Sequence, residues 1–476
     1  MYSKSQIPAG LLGSYYAARQ TAGQYRSCAV TAQYHFTSPL EKFIKLLKYA
    51  LKRNIQRHPP LSYGLLDRTK TSEAQFWRQE KIHWEDVVEL HHVEEGDGDE
   101  ILSAELGKAH EYLFTDQTRK PAWKLVVVVH GVESLTVDII YLTQHAIADG
   151  LSCVAFHKSL YKYMMEGVSL SESDLIVNWP YVVPSSTPLP LPVEDFLTIT
   201  PFTEQSKTAT TATKTFPLNA SEIWTGPPPY LPSAAAYASR LQILTIPSAS
   251  VRQVLAKARN LNTTITALLH ALVVIYLSTT HPTSPTFVSV TPYSLRSFTG
   301  ISKDEMVNHI NYIVSSWNPD IISTIRDAKD GSAEEFKASL AVGKQFREDI
   351  EAELELVAAN CGGPTPLREI AAVSNHEESC RAAMNRKRST TYEISNVGVV
   401  DFVASFPSTA DQGIRLEKLV FSQCAMVVGP VIGLSAVSVR DGPLVISFCW
   451  QEGALEEGFM KRMVSFLKER LLALKD

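Results

Sequence analysis

Thr143-Gln144-His145-Ala146-Ile147-Ala148-Asp149-Gly150 decides how this chain is read. The stretch follows a β-branched run from Trp123 to Thr143 that predicts two adjacent buried strands. A strand therefore ends where His145 begins, a tight Asp-Gly turn follows, and an amphipathic helix starts near Leu151. This places an imidazole at the rim of a sheet, where a general base is useful. From average residue usage, an H-x-x-x-D-G match arises by chance in about one chain in tens. The motif alone does not define a function, so the rest of the sequence has to agree with it.

At 476 residues the chain exceeds one ordinary hydrophobic core, and two or three domains are expected. An apolar share of 45% and a charged share of 20% are globular values. The net charge of -5 gives no footing for a nucleic-acid partner. The opening MYSKSQIPAGLLG lacks the apolar core and cleavage site of a secretory signal. The longest apolar run, around Val126 to Ile140, is interrupted by His130, Glu133 and Asp138, and falls short of the ~20 apolar residues of a membrane span. A soluble, cytoplasmic monomer is expected. Cys28, Cys153, Cys361, Cys380, Cys424 and Cys449 form no C-x-x-C pair and read as buried thiols rather than metal ligands. Sequons at Asn219 and Asn262 carry no meaning without a secretory route.

Working outward, residues 26–36 predict a strand and 40–57 an amphipathic helix stopped by Pro59-Pro60. A helix is expected at about 100–114 and another from Leu151 to about Met165. Between Val182 and Ser233 the composition turns rich in Pro, Thr and Ser, including TATTATKT, and reads as an extended crossover. Domains at 1–181 and 237–476, joined by a linker at 182–236, follow from this. Strands are then expected at 239–247 and 286–292. Helices are expected at 248–260, 263–279, 303–315 and 332–357, followed by a strand with a loop in TTYEISNVGVVDF. Apolar strands at 419–428, 431–439 and 443–450 come next, with Asp441-Gly442 as a hairpin turn, and a helix from Gly453 to Lys475 closes the chain. The prediction is α/β (α+β), with two similar sandwiches of mixed sheet.

HAIADG, VSVTPYSLRSF (288–298), VNHINYIVSSW (307–317), EISNVGVVDF (393–402) and the ending 421–453 together resemble a known group. They are similar to the alcohol acetyltransferase branch of the acyl-coenzyme A-dependent acyltransferases that includes chloramphenicol acetyltransferase and the BAHD enzymes. The resemblance spans most of the chain. It implies two chloramphenicol acetyltransferase-like domains around a central solvent channel, no bound cofactor, and acetyl-coenzyme A or another acyl-coenzyme A as co-substrate. A hydroxyl of a small or medium-sized hydrophobic metabolite would be the acceptor.

His145 is the candidate catalytic residue, since a neutral imidazole accepts an alcohol's proton during attack and returns it later. The resemblance implies direct attack in a ternary complex, without an acyl-enzyme. The spacing of Asp149 alone invites a triad in which the carboxylate orients the imidazole. The resemblance implies instead that Asp149 pairs with Arg296 and shapes the loop. Gly150 provides a backbone angle or close approach that a side chain would block. Ser395 and Asn396 match a segment facing the histidine, either as oxyanion and acyl-pocket groups or as a strand-ending turn. Asn308 and Asn311 either bond backbone near the channel or cap turns. Asp401-Phe402 continues as Val403-Ala404-Ser405, unlike the D-F-G-W-G of the plant enzymes. Arg381, Arg386, Lys387 and Arg388 form the best-placed basic run for coenzyme A phosphates.

Other classes remain open. No G-x-S-x-G nucleophile elbow, P-loop or G-x-G-x-x-G fingerprint occurs. A metal site at His145 and Asp149 would need a third ligand. A condensation-type catalyst on carrier-bound thioesters usually has a second histidine where this chain has Gln144. N-acylation uses the same base, and a noncatalytic ligand-binding role is the alternative of a different kind. The apolar stripe of the last helix faces either the core or a lipid surface.

Overall fold

Valine and isoleucine favour a pleated, buried setting, where the branched Cβ loses less rotamer freedom than in a helix. Trp123–His130 and Leu135–Thr143 accordingly pair antiparallel, with Trp123 opposite Thr143. The computed structural model describes residues 6–66, 74–94, 96–131, 135–188, 190–203, 222–231, 233, 236–359, 362–402 and 413–474. Asn219, Cys361, TATTATKT and Val403-Ala404-Ser405 lie outside them.

The central pair belongs to a five-stranded sheet ordered Ile414–Gln423, Cys28–Phe36, Leu135–Thr143, Trp123–His130, Val88–Val93. A six-stranded sheet runs Ser239–Ile246, Leu444–Gln451, Ile432–Val439, Tyr392–Val400, Val288–Ser294, Ile310–Ser316. Both are mixed: Val88–Val93 runs parallel to its neighbour, and Tyr392–Val400 runs parallel to strands on both sides. Helices Leu40–Arg57 and Gly150–Val168 pack together and close one core through Phe43, Leu47, Phe156 and Leu160. Ile265–Thr280, Ala333–Ala358 and Glu457–Ala473 supply Leu269, Phe346 and Leu467 to the other. An apolar layer joins the halves, with Leu106 and Ile140 against Ile243 and Val445.

Several boundaries need correction. Ile414–Gln423, in the C-terminal half, pairs with Cys28–Phe36 along its length, so the sheets do not follow the split at 182–236. Residues 303–315 do not form the expected helix. Ile310–Ser316 is a strand, with Asn311, Ile313 and Ser315 buried and the alternate residues half-exposed. That period of two identifies a strand with one covered face. Gly10–Thr21 is a further helix, which no expected element covers. Within Glu457–Ala473, Met460, Met463, Leu467 and Leu471 are buried against the core, so the apolar stripe faces inward. No single helix among the described residues is long and apolar enough to cross a membrane.

Five histidines besides His145 are fully buried and hydrogen-bonded among the described residues, His309 to the Leu191 carbonyl at 3.0 Å and to Thr299 Oγ1 at 3.1 Å. His58 meets Ser159 Oγ at 2.8 Å, His157 meets the Val30 carbonyl at 2.7 Å, and His110 lies between Ser27 and Ser422. His270 lies between Tyr392 and Thr291. Burial pushes the imidazoles down, to about 3 for His58, His110 and His270 and about 4 for His157. An unfolded histidine titrates near ~6.5, so the unfolded chain binds more protons than the folded one between that pH and 4. Burial raises Glu393 to about 7, which offsets this by one proton. We expect the unfolding free energy to fall by about 2 kcal/mol or more from pH 7 to pH 5. Urea denaturation at the two pH values checks this, and a flat or rising stability would refute it.

Candidate active site

The register fixes where the chemistry lies. Gln423, Cys28 and Thr143 stand side by side at one end of the five-stranded sheet, and the chain leaves that rim into the turn bearing His145. Asp149 caps the following helix, its side chain accepting from the Ser152 backbone N–H. Such a cap satisfies an amide that would otherwise lack a partner.

Asp149 does not bond His145. One carboxylate oxygen accepts from Arg296 Nη1 at 2.6 Å and the other from Nη2 at 3.0 Å. Ser152 Oγ and the His309 backbone N–H complete its shell at 2.9 and 3.2 Å. Burial alone would raise the Asp149 pKa, but the Arg296 guanidinium outweighs it and holds the carboxyl below its ordinary range. Arg296 also donates to the Val307 carbonyl at 3.2 Å, so its pairing with Asp149 ties the turn to the C-terminal half. Gly150 belongs to the same join. A Cβ there would lie 2.8 Å from Val397 Cγ1 and 3.0 Å from Phe421 Cζ, so close approach rather than an unusual backbone angle requires glycine.

His145 is 7% exposed. Its ring stacks on Tyr16 at 4.1 Å with planes 3° apart, and Tyr25 stands 5.8 Å away. Nδ1 has no hydrogen-bond partner among the described residues. Asn308 Nδ2 donates to the His145 carbonyl at 2.6 Å and pins the backbone below the ring. Burial pushes the imidazole down to about 4, its own carbonyl and Asp149 pull it up, and Arg19 pushes it further down. The ring is therefore neutral at physiological pH and able to accept a proton.

His145 faces a cavity of about 760 Å³ walled by both halves of the chain. Glu393 and Ser395, two residues apart on Tyr392–Val400, line it together with Asn396, Tyr16 and Arg19. A buried relay crosses between the sheets. Tyr25 Oη donates to Gln423 Oε1 at 2.9 Å, and Gln423 Nε2 donates to Glu393 Oε1 at 2.7 Å. Ser395 Oγ makes no hydrogen bond to another described residue, whereas Asn396 is engaged. The Asn396 amide nitrogen donates to Thr266 Oγ1 at 3.1 Å, and its oxygen accepts from the Gly398 N–H at 2.8 Å. Asn311 bonds Tyr293 Oη and Glu353 rather than backbone.

The basic run does not converge on the cavity. Arg381 pairs with Glu377 on its own helix, and Lys387 donates to the Ile223 carbonyl at 2.7 Å. Arg388 is 4% exposed and donates to the carbonyls of Pro227, Met426 and Gly429. It is a strut between loops, which removes it from a phosphate cluster. Arg386 is exposed, and the neighbouring Ser389 and Thr390 line the cavity. Tyr16, Arg19, Tyr25 and Glu393 were not anticipated. The Tyr15-Tyr16-x-x-Arg19 spacing, which sets both rings beside one guanidinium on a helix, was the available signal.

This mixed α/β frame, with its unpaired histidine at a cavity between two sheets, is that of an acyl-coenzyme A-dependent acyltransferase of the BAHD and chloramphenicol acetyltransferase-like class. A family model described as alcohol acetyltransferase matches residues 8–471, and the chain belongs to that family. It is 25% identical over 471 residues to "Probable alcohol acetyltransferase crmB" of Aspergillus fumigatus, covering 95% of this chain and 96% of that one. It is also 25% identical to "Probable alcohol acetyltransferase FCK4" of Fusarium pseudograminearum, over 75% and 72% of the two chains. The TRI3 trichothecene 15-O-acetyltransferase of Fusarium sporotrichioides shares the fold, with a TM-score of 0.71 at 14% identity, over 98% of this chain and 95% of that one.

Proposed function

We propose that the protein transfers an acetyl group from acetyl-coenzyme A to a hydroxyl of a small or medium-sized hydrophobic metabolite. The observation that carries this is a neutral His145 facing the shared cavity, its proton affinity not tied up by Asp149. The acceptor's O–H proton passes to the imidazole as its oxygen attacks the thioester carbonyl. A tetrahedral oxyanion forms, and Ser395 Oγ is its proposed donor. Collapse breaks the C–S bond, and the imidazolium returns the proton to the departing thiolate, so that ester and free thiol are the products. Asp149, Gly150 and Arg296 hold the turn that presents His145. Arg386 and Lys387, exposed beside Ser389 and Thr390, are the proposed contacts for coenzyme A phosphates.

Free-thiol release over a panel of acyl-coenzyme A donors and of alcohols and amines, with product mass identified, tests the reading. Acetyl ester formation is expected. Amide formation in its place converts the assignment to N-acylation, and silence across the panel supports a noncatalytic binding role. Gln144 is itself buried, its Oε1 accepting from the Ala146 N–H at 2.6 Å. Carrier-bound thioesters are therefore expected to be poorer donors than the free coenzyme A thioester.

A further inference from the structure

Arg19 is an unusual cation for an interior wall. Its guanidinium carbon lies 4.7 Å from the Tyr25 ring centre, 5.6 Å from Tyr15 and 5.8 Å from Tyr16. The guanidinium makes no ion pair or hydrogen bond with any described residue. Glu393 lines the same cavity, as do Asp349, Glu353 and Glu369; it feels the Arg19 charge but is not in ion-pair contact with it. Burial keeps the Tyr16 and Tyr25 hydroxyls protonated, so the cage itself is neutral. Aromatic faces offset part of the cost of half-burying a guanidinium, but the cation still lacks a counter-ion in contact with it. Its planar donor fork fits a carboxylate in bidentate fashion.

We infer that Arg19 seats a carboxylate on the acceptor, so that the substrate is a hydroxyl compound bearing an acidic group; this rests on the acyl-transfer reading above. Geometry favours the acceptor over coenzyme A as the source of the anion. Tyr16 touches both groups, its ring 4.1 Å from the imidazole and 5.8 Å from the guanidinium carbon. The separation of His145 and Arg19 is therefore no greater than those two steps. The thioester must lie at His145, and an extended pantetheine arm carries the phosphates well beyond that reach. Acetyl has no charge to offer. A carboxylate on Arg19 would also neutralise the cation that depresses His145, which makes the imidazole a stronger base when the acceptor is bound.

Equilibrium binding on the full chain tests this without turnover. Calorimetry with 4-phenylbutyrate and its uncharged amide, 4-phenylbutyramide, compares wild type with Arg19→Gln and Arg19→Met. Wild type is expected to bind the carboxylate about tenfold or more tightly than the amide, and both variants to lose that preference while keeping their melting temperature. Equal affinities in wild type, no binding of either ligand, or a preference retained in a folded variant would overturn the inference. Thiol release from acetyl-coenzyme A with neutral alcohols, run on the same preparations, reads the acyl-transfer proposal separately. A preference for malonyl- over acetyl-coenzyme A that Arg19→Gln abolishes would place the anion on the donor and overturn the acceptor assignment.

Discussion

His145→Ala is expected to lower kcat/KM by about 10²–10⁴-fold, the range that a positioned general base contributes. The ring packs on Tyr16 at the edge of a cavity rather than inside a core, so the variant should melt close to wild type. The sign of the pH dependence follows from the same residue. The base must be unprotonated, and burial holds its pKa near 4, so the acid limb of kcat/KM is expected well below the ordinary histidine value of ~6.5. A steady-state rate profile checks this, and a rate that halves near pH 6.5 would mean a more solvated imidazole than the one described. If the acceptor neutralises Arg19, the limb in kcat should lie at higher pH than that in kcat/KM, because the former reports the complex.

Asp149→Asn is expected to cost stability on the order of 3–5 kcal/mol, because Arg296 is left charged in a buried site without its counter-ion. Folded yield and chemical-denaturation midpoint should fall together with turnover. Arg296→Gln should act alike, and the double variant Asp149→Asn with Arg296→Gln should cost less than the two singles added, since the second change removes the charge that the first stranded. A well-folded Asp149→Asn with wild-type stability and a pure rate loss would restore the triad reading, in which the carboxylate serves the imidazole directly.

What the chain disclosed before its structure was uneven, for physical reasons. The Trp123–Thr143 strand pair and the helix 40–57 were legible because their periodicity is local and strong, and the bounds in the structure match the expected ones closely. The helix expected at 303–315 is instead a strand over its second half, because Ile, Tyr and Val at 310, 312 and 314 alternate with Asn311, Ile313 and Ser315. That mixed pattern resolves only when the neighbour Val288–Ser294 is known. Strand exchange by Ile414–Gln423 was illegible, since nothing in an apolar run names the sheet it joins. At the site, His145 was visible through its motif and the Asp149–Arg296 pair through the resemblance. Tyr16, Arg19 and Glu393 lie on a helix and a strand that converge only in the fold. The basic run 381–388 shows the opposite error, because sequence adjacency does not tell a phosphate contact from a guanidinium that holds three carbonyls.

The proposed reaction is a direct transfer in which His145 takes the acceptor's proton. Stopped-flow detection of free thiol, with enzyme and acetyl-coenzyme A at comparable concentration, tests it in one experiment on wild type and His145→Ala, with and without an alcohol acceptor. Thiol release is predicted only when acceptor and His145 are both present. A burst of one thiol per enzyme without acceptor, or unchanged release from His145→Ala, would contradict it.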